Sequence, residues 1–292
     1  MKRHKQLWIF LFLFPTLVLF AVMYVYPLIS VVTTSLFKWK QFNPPIFIGL
    51  QNYVRLFTDD PRFLKALSNT TIWVVLQSSI HVLIGLFVAL ALFRKTFLWK
   101  LARTSFMIPN VISSAALGTM YLLLFNPRIG AVNLIIRLVT GNENYTKNWY
   151  FESSSAFYTV TLTWLLYAAI ITMLILAEMM SIPSELFESS KIDGATGLQA
   201  DWYIIIPLVR NTLATAVIIA ATSQLQDFAL IYLTTNGGPG AITLGLPQYL
   251  YEVALSQYNY GYSNAIGVIL IIMGLSIVYT ITKIFKFGTT HY

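Results

Sequence analysis

The chain has no cysteine and little charge: of its 292 residues none is Cys, and 10% are Asp, Glu, Lys or Arg. The first absence excludes disulfides, thiolate metal sites and cysteine nucleophiles, and it identifies no compartment. The second is more informative, because soluble globular chains carry about 25% charged residues. The phosphate-cradling pattern G-x-x-x-x-G-K-[ST] is missing, so ATP hydrolysis would belong to another chain. Neither H-E-x-x-H nor G-x-S-x-G occurs, and the three histidines are scattered. No nucleophile or metal constellation is left to support a membrane enzyme.

What is present is apolar. Hydrophobic residues make up 57% and aromatic residues 15%, and the mean hydropathy is +0.69. Trp and Tyr at this level suit the two interfaces of a bilayer. The net charge of +8 invites a nucleic-acid reading, but basic residues flank the apolar runs and set orientation; no basic run is long enough for nucleic acid. Lys2, Arg3 and Lys5 resemble the charged start of a signal peptide. The segment Gln6–Phe37 that follows has no charge, far longer than the ~7–15 residues of a signal-peptide core, and shows no small-residue cleavage site. It reads as a retained first span.

A membrane-crossing helix needs about 20 mostly apolar residues. Six stretches qualify: Leu7–Val31, Asn69–Phe93, Ser105–Phe125, Ala156–Met180, Thr212–Leu233 and Asn264–Phe285. Helices are the expected form, since backbone groups in lipid must be satisfied within the segment. The expectation is an all-α, polytopic membrane protein of one domain over residues 1–292. With the N-terminus inside, eleven basic residues fall in cytoplasmic segments and eight outside. Density decides the orientation: Arg94, Lys95, Lys100 and Arg103 crowd one short loop, and no basic residue lies between Arg210 and Lys283. Both termini are therefore expected in the cytoplasm, together with Lys283, Lys286 and the loop 183–207. The outer loops are punctuated by Asn43-Pro-Pro, Asp59-Asp-Pro and Asn236-Gly-Gly-Pro-Gly.

The polar loop between spans four and five holds Glu185, Glu188, Asp193 and Asp201, with Glu178 just before it. Ser184 is placed to cap a short helix from Glu185, with acids in its first turn. Gly194 suits the left-handed residue that ends a helix. Thr196 and Gln199 have the spacing of a capping box that starts a second helix, and Pro207 marks re-entry into the membrane. These signals predict a helix–turn–helix at the membrane surface, either a connector or a docking element for a soluble partner.

Glu188, Asp193, Gly194, Ala195 and Pro207 resemble the "EAA" loop of permease subunits in binding-protein-dependent ABC importers, in its carbohydrate branch. Ser189 and Ser190 replace the two alanines. Asp201 stands where that family usually has an aromatic, with Trp202 beside it. Phe47-Ile-Gly-Leu-Gln-Asn-Tyr53 is similar to the family's first outer loop. Pro109, Phe125-Asn-Pro127 and Gly130 match the end of its third span and the next loop. Leu233-Thr-Thr-Asn-Gly-Gly-Pro239 matches an outer loop of the maltose-transporter F-like type, and Gly261, Tyr262 and Ala265 precede its last span. The resemblance covers about Leu7 to Lys286. It implies six core helices and a cytoplasmic coupling loop carrying Glu188, Asp193, Gly194, Ala195, Trp202 and Pro207. It further implies a sister permease, two cytoplasmic ATPase subunits that hold ATP and Mg, an extracytoplasmic solute-binding protein, and a prokaryotic inner membrane. No cofactor or metal is expected on this chain.

Polar groups inside a span are costly and mark function by default. Span five carries Ser223-Gln224-Leu-Gln226-Asp227, and Gln224 and Asp227 are three apart, hence expected on one helix face. A carboxylate and an amide suit sugar hydroxyls; a polar helix–helix contact is the plainer reading. The resemblance places sugar contacts here and at the matching stretch of span four, Leu165, Leu166 and Ala169. Two alternatives stay open: the same machine for a polyol or glycerol phosphate, and a proton-coupled secondary transporter with Asp227 as carrier. His81 reads as a packed or water-facing residue.

Overall fold

A computed structural model of the chain describes residues 2–94, 99–108 and 112–285; Lys95, Pro109 and Lys286 lie outside them. The described chain is mostly helical, with one antiparallel pair, Phe37–Lys38 against Ile46–Phe47. Among the described residues, five helical stretches are long and apolar enough to cross a membrane: Ile9–Thr34, Pro61–Phe93, Ala156–Met179, Arg210–Thr234 and Tyr260–Phe285. The second starts at Pro61, eight residues earlier than the hydropathy suggested. Proline is preorganised for a first helical position, and this polar opening turn needs no lipid. The expected third span is divided among the described residues. One helix ends at Met107 and another begins at Ser114. Ser113 is extended there, and its Oγ accepts from Ala116 N–H at 3.3 Å. That cap gives the second helix a start of its own.

The chain divides into two compact units. The first comprises Met1–Asp60 and Tyr249–Ile272. Its motif residues serve the fold. Asn52 Nδ2 donates to Ser35 O (2.7 Å) and Phe37 O (3.0 Å), and Tyr53 OH bonds Ser35 Oγ at 2.6 Å. The backbone of Gly261 passes so near this loop that a Cβ would sit 1.9 Å from Phe37 O. Tyr262 OH donates to Asp60 at 2.7 Å. The helix Ile9–Thr34 contributes no buried residue from its most apolar window, leaving an apolar surface for lipid or another subunit.

The second unit comprises Pro61–Gln248 and Met273–Tyr292. Its core joins spans two, four and five through Leu86, Ala89, Ile171, Ile175, Met179 and Ala216. A Cβ on Gly85 would lie 2.7 Å from Ile171 Cγ2, so the missing side chain allows spans two and four to approach. Further along, Trp73 Nε1 donates to Thr161 Oγ1 (2.9 Å) and its ring stacks on Phe157. The loop after span five is pinned to span two: Asn69 Nδ2 donates to Ile242 O (2.8 Å) and Leu244 O (2.9 Å), and Thr70 Oγ1 accepts from Leu246 N–H (2.9 Å).

Candidate functional site

The polar loop folds as two helices joined by a tight turn. The first runs Ser184–Ile192, with Pro183 at the cap position. Ser184 is thus the first helical residue and makes no cap, a correction to the expected start. Proline already sets the extended entry (φ −58°, ψ 136°), and its carbonyl accepts from Leu186 N–H. The first helix ends as its sequence indicated. Gly194 has φ +76°, Ala195 N–H bonds Ser190 O (2.9 Å) and Gly194 N–H bonds Lys191 O (3.1 Å). This paired closure satisfies the last carbonyls of the helix. The capping box is complete: Gln199 N–H reaches Thr196 Oγ1 and Thr196 N–H reaches Gln199 Oε1.

From Asp201 to Ile205 the helix widens into a π-turn. Asp201 and Ile205 face inward while Trp202 and Tyr203 face out. Trp202 is 67% exposed and Asp201 is 9% exposed. Glu188, Asp193 and Pro207 lie on the surface as well, and Ala195 is half-buried. Pro207 belongs to a short turn, Ile206–Leu208, and span five starts at Arg210. The loop is therefore an ordered platform with an exposed indole. Large exposed aromatics of this kind anchor protein partners.

The second candidate site lies within the spans, where two helices are interrupted. In span four the helix stops at Leu165 and resumes at Ala169. In span five it stops at Gln224 and resumes at Ala229. Gln224 and Asp227 therefore do not share a helix face, contrary to expectation. The break is local: the chain leaves the helix at Leu225–Phe228, Asp227 sits in that break, and its carboxylate turns toward Leu230 N–H of the next helix, an alternative that aspartate offers to the backbone. The span-four interruption leaves Leu165 O without its helical donor. His81 Nδ1 lies 2.8 Å from it; a carbonyl only accepts, so His81 carries its proton on Nδ1. A wide turn in span two, Gln77–His81, packs against both the helix Ala156–Leu165 and span five.

Non-helical backbone at membrane depth persists where it is buried in protein or lines a water-filled cavity. Here Leu165, Ala169 and Gln224 are buried, Leu166 and Ser223 are exposed, and Asp227 is half-buried. Ser223 Oγ is spent on Ala220 O at 2.8 Å. Gln77 Oε1, Trp164 Nε1 and Thr172 Oγ1 are buried and have no hydrogen-bond partner among the described residues. Buried polar atoms on both sides of an interruption mark this region as a candidate polar site. Sequence reasoning passed over Gln77, for which an amide in a mostly apolar span was the available signal; His81, read as packed or water-facing, is buried.

Comparison with known proteins agrees with this architecture. Residues 81–288 match the family described as binding-protein-dependent transport system inner membrane component. The probable ABC transporter permease protein YurN of Bacillus subtilis is 33% identical, over 96% of this chain and 96% of that one. The sulfoquinovosyl glycerol transport system permease protein SmoG of Agrobacterium fabrum is 28% identical, over 94% of this chain and 89% of that one. A chain from the crystal structure of a bacterial ABC transporter involved in import of the acidic polysaccharide alginate has the same fold, with a TM-score of 0.83 and 22% identity over 99% of both chains. The chain belongs to the family of inner-membrane components of binding-protein-dependent transport systems.

Proposed function

We propose that this permease forms, with a sister permease, the path by which a sugar or oligosaccharide enters the cell. An extracytoplasmic solute-binding protein delivers the solute, and two cytoplasmic ATPase subunits supply the energy. The observation that carries this reading is the surface loop of residues 183–207, rigidly closed at Gly194 and presenting Trp202. A platform of this form fits a cleft on a soluble partner, and a proton-driven carrier has no use for it. Relatives named for sulfoquinovosyl glycerol, diacetylchitobiose and arabinooligosaccharides favour a saccharide.

The mechanism is alternating access. Closure of the ATPases moves the docked loop, and spans four and five move with it because the loop joins them in sequence. The cavity then opens outward, and the solute shifts the equilibrium by its differential binding to the two states. The interrupted backbone near Leu165–Ala169 and Gln224–Asp227 offers donors and acceptors to solute hydroxyls. We place both termini and the loop in the cytoplasm, and count the divided stretch Ser105–Phe125 as the sixth crossing.

The test is purification of the tagged chain from its own membrane. A sister permease and an ATPase are expected to accompany it, and the ATPase should be stimulated by solute-loaded binding protein. A chain that purifies alone, with uptake that follows the proton gradient, overturns the reading. Because the chain has no cysteine, Lys191→Cys gives a clean topology arm: an impermeant thiol reagent should label it only after the membrane is opened.

A further inference from the structure

We propose that Arg94 and Asp201 form a strap that delivers movement of the docking loop to span two. The proposal rests on the reading of residues 183–207 as the docking element, and it concerns a helix that this loop does not join in sequence. Spans four and five run into the loop by chain connectivity. Span two ends beside it at Phe93 and can follow its movement only through side chains.

Two such links are present. Arg94 Nη2 donates to the Asp201 carboxylate, and the rings of Phe93 and Phe187 lie 5.7 Å apart. Each helix of the loop thus holds the end of span two once, Phe187 from the first and Asp201 from the second. Together with Lys191, Ala195 and Thr196, these residues line a hollow of about 290 Å³.

The burial is asymmetric. The Asp201 side chain is 13% exposed and that of Arg94 is 44% exposed. A fully exposed ion pair contributes little, but a carboxylate this enclosed has lost most of its water. Without Arg94 it would be a desolvated, unpaired charge. The pair therefore resists separation when the loop moves. The π-turn at Asp201–Ile205 supplies the geometry, turning Asp201 inward while Trp202 remains free to meet a partner. The position where an aromatic was expected has exchanged docking for anchoring, and the neighbouring indole keeps the exposed ring. Both residues are positioning residues, since neither is placed to touch solute or nucleotide.

The experiment uses the complete transporter in proteoliposomes and reads two quantities: ATPase retained on the permease, and solute imported per ATP hydrolysed. Arg94→Gln and Asp201→Asn are each expected to keep the ATPase bound and to lower import per ATP about tenfold, within the range measured for residues in contact. The double variant should be no worse than either single, because both remove one interaction. Arg94→Lys, which keeps the charge, should recover much of the loss. Unchanged import per ATP in both singles, losses that multiply in the double, or loss of ATPase binding overturns the strap. If a single variant is absent from the membrane, Arg94→Lys and the neutral double variant decide by the same criteria. Trp202→Ala run in parallel separates the two readings. Normal ATPase retention there defeats the docking element itself, whereas defective retention with unaffected Arg94 and Asp201 variants defeats the strap alone.

Discussion

Trp202→Ala is expected to release most of the ATPase from the purified transporter and to lower solute uptake by tenfold or more. The ring is 67% exposed on a loop whose closing turn and capping box are fully hydrogen-bonded, so its truncation leaves the platform intact and removes the anchor. Central aromatic anchors cost about 2 kcal/mol or more when truncated, which is at least a thirtyfold change in affinity by the usual conversion of about 1.4 kcal/mol per factor of ten. Gly194→Val reaches the same end by another route. Its φ of +76° is severely unfavourable for a β-branched residue, so the chain must abandon the closure that bonds Ala195 N–H to Ser190 O and Gly194 N–H to Lys191 O. No atom lies within 4 Å of where a Cβ would be; backbone strain alone is responsible. Both variants should reach the membrane at wild-type abundance, because both positions are exposed and lie outside the buried core. The measurement is ATPase co-purification together with solute-stimulated ATP hydrolysis at matched permease levels. Wild-type values in both variants would reduce residues 183–207 to a connector.

The loop was legible in the sequence because its signals are local. A Thr–x–x–Gln spacing and a glycine after a helix work through backbone groups a few residues away, and the structure returns both. The entry failed by one residue because Pro183 took the position assigned to Ser184. The spans were legible in number and place to a lesser degree, because hydropathy sees the length of an apolar run and is blind to its continuity. Leu166-Tyr167-Ala168 contains no proline or glycine, so nothing in its own sequence marks a break. The interruption is held from span two by His81, eighty-four residues away. At Leu225–Phe228 the signal was present and misread: Asp227 was given a helix-face partner at Gln224, while it sits in the break between two helices. Asp201 shows the same limit. Its departure from an aromatic was visible, but its use depends on Arg94, which meets it only in the fold. The small motifs of the first unit carried a different lesson. Asn52, Tyr53, Gly261 and Tyr262 pointed to a family, and in the structure they hold together the loop that follows the first span.

Asp227→Ala is expected to lower uptake of the cognate solute by roughly ten- to a hundredfold, the range for losing a charged hydrogen bond of about 1.5–3 kcal/mol in the rate-limiting state. The structure adds a second source of loss, because the same carboxylate turns toward Leu230 N–H near the start of the helix Ala229–Thr234. Alanine removes both functions at once. Asparagine separates them: it keeps an acceptor oxygen toward Leu230 while giving up the charge. Three outcomes then have distinct meanings. Wild-type uptake in Asp227→Asn with a defect in Asp227→Ala assigns the residue to the backbone interruption alone. Partial activity in Asp227→Asn, with an altered preference among sugars, assigns it to solute hydroxyls, and Gln224→Ala should then show a related change in preference. A dead Asp227→Asn variant whose parent's uptake collapses with a protonophore under ATP-clamped conditions would make Asp227 a proton carrier and overturn the importer reading for this site. The second outcome is the expected one. An aspartate needed only to face Leu230 N–H could be replaced without loss by asparagine, whereas a carboxylate that binds solute hydroxyls on the proposed path could not, and buried polar atoms without a partner among the described residues, Gln77 Oε1, Trp164 Nε1 and Thr172 Oγ1, lie in the same spans. Uptake must be compared at matched expression, since a weakened turn also lowers the amount of folded permease.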